Sequence, residues 1–386
     1  MHAHLKSIEE QVIVVTGATS GIGLVTARMA AEQGAKVVLA ARDREALGRV
    51  ADEIRASGGT AVHCVADVAD EEAMRGVADA AVRSFGGIDT WVNNAGVSIY
   101  GRIDEVSMED HRRLFETNYW GVVIGSRIAV EHMRRHGGAL INLGSIVSER
   151  AIPLQGPYSA AKHAVKAFTD ALRMELEAEG TPISVTLIKP AAIDTGYEEH
   201  AKNYMDAEPS LPPPVYAPEL VAEAILHAAR TPVRDLFVGG AGKLFQWGER
   251  YAPRMTDYVM ERMLIRGQRG GPRRREQDSL HQPWNDGHAT SGRHGFVRHT
   301  SLYTTAELHP WATAAVFAGL GALAVAAYMG RLPGMGNGRS RARAMRNNRR
   351  REHAAGMATA DTGATLGHNA KPAHEAATES HVVFPR

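Results

Sequence analysis

The sequence predicts an α/β protein with a doubly wound parallel sheet (Rossmann-type), helices on both faces and a C-terminal extension. Apolar, β-branched runs such as 11–16 (QVIVVT) and 183–188 (ISVTLI) alternate with amphipathic segments of helical period. Strands that are apolar almost throughout are typical of a parallel sheet that is buried on both faces. A glycine-rich turn at 17–23, directly after the first run, is typical of the first βα connection in a dinucleotide-binding sheet.

Strands and helices follow one another in order along the first 265 residues. The strand-like runs are 11–16, 35–40, 61–65, 88–92, 139–143, 183–188 and 234–238. The helical segments are 22–33, 43–56, about 70–84, about 109–136, about 158–179 and 218–230. Asp43 is a suitable N-cap, because its carboxylate can accept hydrogen bonds from the free amides of a first helical turn. Aromatic and methionine residues at helical spacing within 241–265 indicate that this stretch extends the fold.

Composition divides the 386-residue chain into two parts of opposite charge. The first 265 residues hold 27 Lys/Arg and 35 Asp/Glu, whereas residues 266–386 hold 17 and 8, so the parts carry −8 and +9. A hydrophobic content of 44% excludes wholesale disorder, and the single cysteine, Cys64, excludes a disulfide framework or a cysteine-rich zinc site. The chain therefore divides into an α/β domain (1–265), a flexible linker (266–310), an apolar helix (311–330) and an arginine-rich, disordered tail (331–386).

The turn after the first strand has the composition of a phosphate-binding loop. Gly17 allows a tight turn, Gly21 lets the backbone approach a pyrophosphate, and Gly23 allows the helix to pack closely on the strand. The amides at the start of the following helix supply donors and the positive end of a dipole. The loop is not a Walker A motif, because no Gly-Lys-Ser/Thr follows it.

From about residue 10 to 240 the chain resembles the classical short-chain dehydrogenase/reductase (SDR) family. The shared motifs are TGxxxGIG at 16–23, Asp67-Val68 after the third strand, NNAG at 93–96, the tetrad Asn118, Ser145, Tyr158 and Lys162, and KPAAIDT at 189–195. Ala191 stands where the family usually has a glycine, although Pro190, Ile193 and Thr195 keep their places. The resemblance implies that the chain is an oxidoreductase that uses a nicotinamide dinucleotide.

The same resemblance assigns roles to individual residues. The implied cofactor-binding residues are Gly17, Thr19, Ser20, Gly21, Ile22, Gly23, Asp67, Val68, Asn94, Ala95, Gly96, Tyr158, Lys162, Pro190, Ile193 and Thr195. Tyr158 is expected to be the acid/base and Lys162 to bind the nicotinamide ribose. Ser145 is expected to bond the carbonyl oxygen, and Asn118 to hold a water that links Lys162 to solvent, with a role in a helix kink as the alternative.

Tyr158 and Lys162 suit proton transfer because they are four residues apart and so share one helix face. A phenol has a pKa near ~10, which is too high for ready proton exchange at neutral pH. A neighbouring ammonium, together with a bound oxidised nicotinamide, should lower the pKa of Tyr158 towards the working range.

The residues after the second strand predict NADP(H) rather than NAD(H). NAD-preferring sheets place an acidic residue there to bond the adenosine ribose, but this chain has Ala41 followed by Arg42. A guanidinium can pair bidentately with the 2′-phosphate of NADP(H).

The segment after Thr195 predicts the class of substrate. Residues 196–218 contain tyrosines, Met205, Leu211 and three consecutive prolines, which form an apolar lid. We therefore expect a hydrophobic alcohol or ketone. A serine hydrolase is excluded because Ser145 lacks the flanking glycines of a nucleophile elbow, and a zincin is excluded because Met133, not Glu, follows His132.

Two other classes of function remain as alternatives. A non-catalytic NADP(H)-sensing or scaffold protein could use the basic tail, although the complete tetrad favours an enzyme. Specific nucleic-acid binding through 339–351 is not expected, since this arginine run has no interleaved aromatic residue.

The uncharged stretch 311–330 is long enough to cross a bilayer core as a helix, and eight arginines follow within 331–351. Because the polar, acidic start of the chain does not resemble a signal peptide, we expect a cytoplasmic catalytic domain, associated with the membrane surface through 311–351. The resemblance also implies a homo-oligomer formed through the long helices near 109–136 and 158–179.

Overall fold

The computed structural model describes residues 4–240, 248, 250–273, 276–284 and 287–331. Seven parallel strands form the main sheet: β1 (Val12–Thr16), β2 (Lys36–Ala41), β3 (Thr60–Val65), β4 (Thr90–Asn93), β6 (Gly138–Leu143), β7 (Ile183–Pro190) and β12 (Asp235–Val238). Short strands complete smaller sheets: β5 (Ile99–Tyr100), β8 (Ala192–Ile193), β9 (Lys202–Asn203), β10 (Ala207–Pro209), β11 (Val215–Tyr216), β13 (Arg269–Pro272) and β14 (Val297–Arg298).

The helices lie between the strands in the alternation that the sequence predicts. They are α1 (Gly21–Glu32), α2 (Arg44–Ala56), α3 (Glu71–Phe85), α4 (Met108–Phe115), α5 (Gly121–Met133), α6 (Gly156–Ala178), α7 (Tyr197–His200), α8 (Pro218–Arg230), α9 (Pro253–Gly267), α10 (Leu302–Leu308) and α11 (Pro310–Arg331). Asp43 caps α2 as expected, because its carboxylate accepts a hydrogen bond from the amide of Ala46 at 2.9 Å.

The strand order, β12-β7-β6-β4-β1-β2-β3, confirms the doubly wound parallel sheet. The chain leaves β1 towards β2 and β3 on one side and returns to β4 on the other, so the winding reverses beside β1. Ligands of open α/β sheets bind at the carboxyl ends of the strands where the winding reverses. The topology thus places the candidate site at the carboxyl ends of β1 and β4.

Alternate residues of each strand divide the core between the two faces of the sheet. Ile13 and Val15 pack with α1, α2 and α8, whereas Val12 and Val14 pack with α3 and α5. Both faces are dry, and the side chains of Ile13, Val14 and Val15 have no exposed surface. Burial on both faces explains why the strands read as continuous apolar runs.

The long helix expected near 109–136 is interrupted by a π-helical turn, Glu116–Trp120, between α4 and α5. This turn contains Asn118, one of the predicted catalytic residues. A π-turn offsets the hydrogen-bonding ladder of a helix and is frequently found at functional sites. The kink considered for Asn118 from the sequence is therefore present in the structure.

The flexible linker expected over 266–310 is corrected by the structure, because the described residues of this stretch pack on the α/β domain. Strand β13 pairs with β10, strand β14 pairs with β11, and α10 packs on β12. The amide of Phe237 donates to the Glu307 carboxylate at 2.7 Å, and that of Gly239 donates to Thr304 Oγ1 at 3.1 Å. Composition misled the sequence prediction because polar hydrogen bonds, rather than apolar contacts, hold much of this segment.

The apolar helix predicted over 311–330 is present as α11. Its residues Pro310–Tyr328 have a mean hydropathy of 1.6, and this stretch is long enough to cross a membrane, with none of it buried. A single helix of this kind is a weak indication of membrane insertion by itself. The arginine-rich tail predicted after it lies outside the described residues from 332 onwards.

Candidate active site

The glycine turn after β1 has backbone angles and close contacts that favour residues without a side chain. Gly17 and Gly21 have φ angles of +65° and +51°, in the left-handed region that favours glycine. A Cβ on Gly23 would lie 2.1 Å from the carbonyl oxygen of Gly17, so the helix could not pack so closely on the turn with any other residue. Gly17 and Gly23 therefore allow the tight turn and the close packing that the sequence indicates for them.

Asn94 braces this turn from the end of β4. Its side-chain amide donates to the carbonyl oxygen of Thr16 at 2.8 Å and to that of Gly17 at 3.3 Å. The hydroxyl of Thr16 in turn accepts from the backbone amides of Asn94 and Ala95 at 3.0 and 3.1 Å. These bonds hold the two strand ends that flank the cleft in a fixed relation.

A cleft of about 210 Å³ lies in front of the glycine turn. Twelve of the predicted cofactor residues line it: Gly17, Thr19, Ser20, Gly21, Ile22, Arg42, Asp67, Val68, Asn94, Ala95, Gly96 and Thr195. Arg42 lies at the end of β2, next to Asp67 at the end of β3. Burial lowers the pKa of Arg42, and the neighbouring Asp67 carboxylate opposes this.

Arg113 holds a residue of the cleft wall, Asp67, and is absent from the site residues predicted from the sequence. It extends from α4, and its Nη2 lies 2.5 Å from Oδ2 of Asp67. Burial raises the pKa of Asp67, but bonds from the Ala69 amide and Arg113 outweigh it and leave the pKa below its usual value. Asp67 is therefore ionised and held in place at neutral pH. No sequence signal links the two residues, which are 46 positions apart.

Ser145, Tyr158 and Lys162 meet at the carboxyl end of β6. Ser145 follows β6, while Tyr158 and Lys162 share one face of α6, and all three line one cavity of about 190 Å³. Lys162 is 4% exposed, and its Nζ lies 5.7 Å from the centroid of the Tyr158 ring. Tyr158 also forms a side-chain hydrogen bond with Ser145. The structure thus brings together three of the four residues of the predicted tetrad.

The protein alone does not activate Tyr158 in the way expected from the sequence. Burial raises the pKa of Tyr158 to about 12, while hydrogen bonds with Tyr197 and Ser145 oppose the rise. Burial also lowers the pKa of Lys162 to about 8, so its ammonium is still mostly charged at neutral pH. The phenol of Tyr158 is consequently protonated at neutral pH.

A second tyrosine supports Tyr158. Tyr197 stacks edge-on against the Tyr158 ring with centroids 5.5 Å apart and forms a hydrogen bond with it. Its hydroxyl accepts from Ser98 at 2.7 Å and donates to Gln155 at 2.8 Å. The side chain of Gln155 is bonded in turn to buried Gln268, beyond α9. The sequence analysis assigned Tyr197 only to the apolar lid, because its distance in sequence from Tyr158 gives no sign of this contact.

Asn118 lies behind the site rather than in it. Its side chain is fully buried and exchanges two hydrogen bonds of 2.8 Å with the backbone of Val97, one with the amide and one with the carbonyl. A Cβ on neighbouring Gly96 would lie 3.4 Å from Asn118 Oδ1 and 4.0 Å from Lys162 Nζ. Asn118 and Gly23 are the two predicted site residues that line neither cavity.

The cavity at Tyr158 opens on both sides. Ile22, Asn94, Gly96, Thr195 and Tyr197 line both this cavity and the cleft at the glycine turn. Pro190 and Ile193 also face the cavity, as expected. On the far side it shares Ile146, Val147, Ile152, Ala191, Ala192 and Pro212 with an almost wholly apolar pocket of about 90 Å³. Met260 and Leu264 of α9 close that pocket.

The residues of the cleft fit a dinucleotide. Gly17 and Gly21 line the cleft without side chains, and the N-terminus of α1 faces the cleft with its positive end. Arg42 supplies a guanidinium at the side of the cleft next to β2 and β3. Within the described ranges the structure contains no group of three His, Cys, Asp or Glu side chains placed to hold a metal ion.

Comparisons with known proteins agree with this geometry. A family model described as short chain dehydrogenase matches residues 11–205. The uncharacterised oxidoreductase YxnA of Bacillus subtilis is 46% identical over 327 residues, covering 83% of this chain and 92% of its own. The dehydrogenase/reductase SDR family member 7B of Bos taurus is 37% identical over 201 residues, 50% of this chain and 61% of its own.

A similar fold occurs in a solved structure, an alcohol dehydrogenase from the archaeon Thermococcus sibiricus complexed with 5-hydroxy-NADP. It superposes with a TM-score of 0.53 at 27% identity and covers 59% of this chain and 95% of its own. The likeness therefore takes in nearly the whole of that enzyme and leaves two fifths of this chain without a counterpart in it.

Proposed function

This chain belongs to the short-chain dehydrogenase family, and we propose that it is an NADP(H)-dependent oxidoreductase that acts on a hydrophobic alcohol or ketone. The observation that carries the proposal is the position of Ser145, Tyr158 and Lys162 in one cavity that adjoins the cleft at the glycine turn. A nicotinamide bound in that cleft would supply the hydride to, or accept it from, the substrate carbon. The chain's own residues then have to bind the substrate oxygen and move one proton.

In the direction of reduction, the hydroxyl of Tyr158 gives its proton to the substrate oxygen as that oxygen gains charge. Ser145 stabilises the developing negative charge by a hydrogen bond to the same oxygen. Tyr158, whose pKa is raised by burial to about 12, holds the proton that this step requires at neutral pH. In the direction of oxidation, the positive charge of the bound nicotinamide must lower that pKa before Tyr158 can accept a proton.

Arg42 supports the choice of NADP(H). It lies beside the cleft at the end of β2, where Ala41 takes the place of the ribose-binding carboxylate of NAD-preferring sheets. Two of its five N–H donors are used by backbone carbonyls, so others remain for a phosphate. The archaeal alcohol dehydrogenase was also solved with an NADP derivative.

The substrate class is argued from the apolar pocket beyond Tyr158. Ile146, Val147 and Ile152 line its inner wall, and Met260 and Leu264 close it on the other side. Transfer of an apolar substituent of the substrate from water into this pocket is favourable. A sugar or a phosphate would lose its hydrogen bonds with water on entering the same pocket. We propose a hydrophobic alcohol or ketone for this reason.

A non-catalytic NADP(H)-sensing protein is the alternative, and Tyr158→Phe separates the two. For an enzyme, the variant loses carbonyl reduction by about 100-fold or more while its affinity for NADPH stays within about twofold. The matched control is Tyr303→Phe, which removes a hydroxyl on α10 that bonds Glu307. A wild type that binds NADPH but reduces no compound in a broad set of hydrophobic carbonyls would favour the sensor.

We also propose that the protein forms a homo-oligomer through the helices that flank β6. Trp120, at the end of the π-turn, and Met174 of α6 are 52% and 58% exposed, although both are large and apolar. Exposed apolar side chains of this size are typical of contact surfaces. Light scattering of the wild type and of Trp120→Lys with Met174→Lys would test this, since a monomeric wild type contradicts it.

Membrane association through 311–351, with the catalytic domain on the cytoplasmic side, completes the proposal. The large apolar side chains of α11, including Phe317 at 69% and Leu323 at 68%, are exposed, as a helix at a lipid interface requires. The arginines that follow would interact with anionic lipid. Fractionation with a carbonate wash tests the association in cells.

A further inference from the structure

The C-terminal extension crosses the opening of the nucleotide cleft. We name the two described stretches 278–284 and 287–294 together the strap. The strap is attached on both sides of the cleft, and Ser279, Pro283 and Trp284 form part of the cleft wall together with Arg42 and Asp67. It lies within the segment that composition alone assigned to a linker.

The first end of the strap is attached near α4 and α7. Asp278 pairs with Lys202 at 3.1 Å, and His281 Nε2 lies 2.7 Å from Oδ1 of Asp110. The amide of Ser279 donates to the carbonyl of His200 at 2.9 Å. Charged groups take part in two of these contacts, which makes them stronger than neutral hydrogen bonds.

The second end is attached to residues 194–199. Ser291 Oγ donates to Asp194 at 2.6 Å, Arg293 pairs with Glu199 at 2.9 Å, and His294 Nε2 lies 2.8 Å from Glu198. Asp194 and Glu198 are 5% and 3% exposed, so these carboxylates are shielded from water. The two ends together hold Pro283, Trp284 and His288 at the cleft.

Between its ends the strap bonds the groups that a nucleotide would use. The guanidinium of Arg42 donates to the carbonyls of Ser279 and Leu280, and Arg113 Nε donates to Leu280 at 3.1 Å. The amide of Gly21, the first residue of α1, donates to the carbonyl of His288 at 3.0 Å. A phosphate at the start of α1 would need this same amide.

We propose that the strap belongs to the nucleotide site: it forms the outer wall of the cleft, positions Arg42, and must detach before NADP(H) can enter or leave. The proposal rests on the proposed use of a nicotinamide nucleotide. A segment held at both ends across an opening blocks the passage of a large ligand by its bulk. In addition, the amide of Gly21 donates to the His288 carbonyl of the strap, and a phosphate at the start of α1 would need the same donor.

The comparisons show which relative extends over this region. A contiguous stretch that covers 83% of the chain necessarily includes residues 278–294, so the alignment with the Bacillus subtilis protein runs across the strap. The archaeal alcohol dehydrogenase uses 95% of its chain to cover 59% of this one, which leaves it little chain from which to build such an extension.

Nucleotide exchange tests the proposal through binding alone. Stopped-flow fluorescence would follow NADPH association, and displacement by excess NADP⁺ would follow dissociation. Asp278→Ala with His281→Ala loosens the first end, while Ser291→Ala with Arg293→Ala loosens the second. We expect association and dissociation both to accelerate, by about fivefold or more, in each double variant. The control, Arg134→Ala, removes the exposed ion pair with Glu179 and should leave both rates unchanged.

The outcomes are separable. If the wild type does not bind NADPH, the proposed function fails; if it binds and both double variants keep the wild-type rates, only the strap proposal fails. Far-ultraviolet circular dichroism selects the folded variants, and having two ends to loosen keeps the test valid if one variant does not fold.

Trp284 gives an independent measurement. Because Trp284 lines the cleft, its fluorescence should pass to bound NADPH by energy transfer, and Trp284→Phe should lower the transfer signal by a large fraction. Trp311→Phe, which removes an exposed tryptophan of α11 outside the cleft, serves as the control. An unchanged signal in Trp284→Phe would place the nucleotide away from the strap and overturn the proposal.

Discussion

The Nζ of Lys162 donates a hydrogen bond of 2.7 Å to the carbonyl oxygen of Leu143, the last residue of β6. This bond ties α6 to the strand that precedes Ser145, so the lysine fixes the relative positions of Ser145 and Tyr158. The ammonium is buried, and burial lowers the pKa of Lys162 to about 8. The residue thus positions the site at a cost in stability.

That cost predicts a pH-dependent effect of Lys162→Met on unfolding. Below pH 8 the lysine is charged in both the folded and unfolded chains, so the full penalty of burying the charge applies. Between pH 8 and the unfolded value of 10.5 only the unfolded chain stays charged, and the penalty disappears. We expect the variant to be more stable at pH 7, by on the order of 1 to 3 kcal/mol, and to lose this advantage towards pH 10.5.

Urea unfolding at several pH values measures this effect. Lys166→Met is a useful control, since Lys166 is on the same helix but only half-buried and paired with Asp170 at 3.1 Å. The control should not gain stability at pH 7. An advantage of Lys162→Met that stays constant from pH 7 to 10.5 would show that the lysine is not a buried charge.

Arg42→Ala should weaken the binding of NADPH and leave the binding of NADH nearly unaffected. A charge-assisted hydrogen bond to a phosphate contributes about 1.5 to 3 kcal/mol, so we expect the KM for NADPH to rise about 10- to 100-fold. Steady-state kinetics with both cofactors measures the change. Arg44→Ala, which removes the exposed arginine at the start of α2, is the control. Equal losses with both cofactors would remove Arg42 from the argument for NADP(H).

Met260→Trp should reduce the length of the substrate chain that the enzyme accepts. Met260 is 3% exposed and closes the apolar pocket, so a larger side chain would fill the space for a substrate tail. In a series of ketones of rising chain length, we expect kcat/KM to fall about tenfold for the longest and by less than about twofold for the shortest. Met263→Trp, on the same helix but 67% exposed, should leave the series unchanged. A uniform loss would show that the pocket does not hold the substrate.

Deletion from Pro310 onwards should abolish membrane binding and preserve activity. The cut must follow His309, because Thr304 and Glu307 of α10 bond the end of β12 and belong to the fold. Sedimentation with vesicles containing anionic lipid compares this variant with the full chain and with a chain cut after Arg331. If the shortest form still sediments, α11 is not the attachment site.

Much of the fold could be predicted because its signals are local. The alternation of apolar strands with amphipathic helices identified the parallel sheet, and the glycine turn identified its first crossover. The spacing of Ser145, Tyr158 and Lys162 placed them at one strand end and on one helix face. The helix bounds near 109–136 missed the π-turn, because a change of hydrogen-bonding register leaves no periodic mark in so short a stretch.

The sequence by itself determined the sheet, the family and the residues at the centre of the site, since these depend on patterns within a few turns of chain. Only the tertiary structure decided that Arg113 holds Asp67, that Tyr197 supports Tyr158 and that the polar extension lies across the cleft. Arg42 and Leu280 are 238 positions apart, and their contact uses a backbone carbonyl, which any residue could supply. Such bonds depend on where the folded chain places its backbone and not on residue type. They leave no signal in the composition, which for this reason predicts a linker in the same segment.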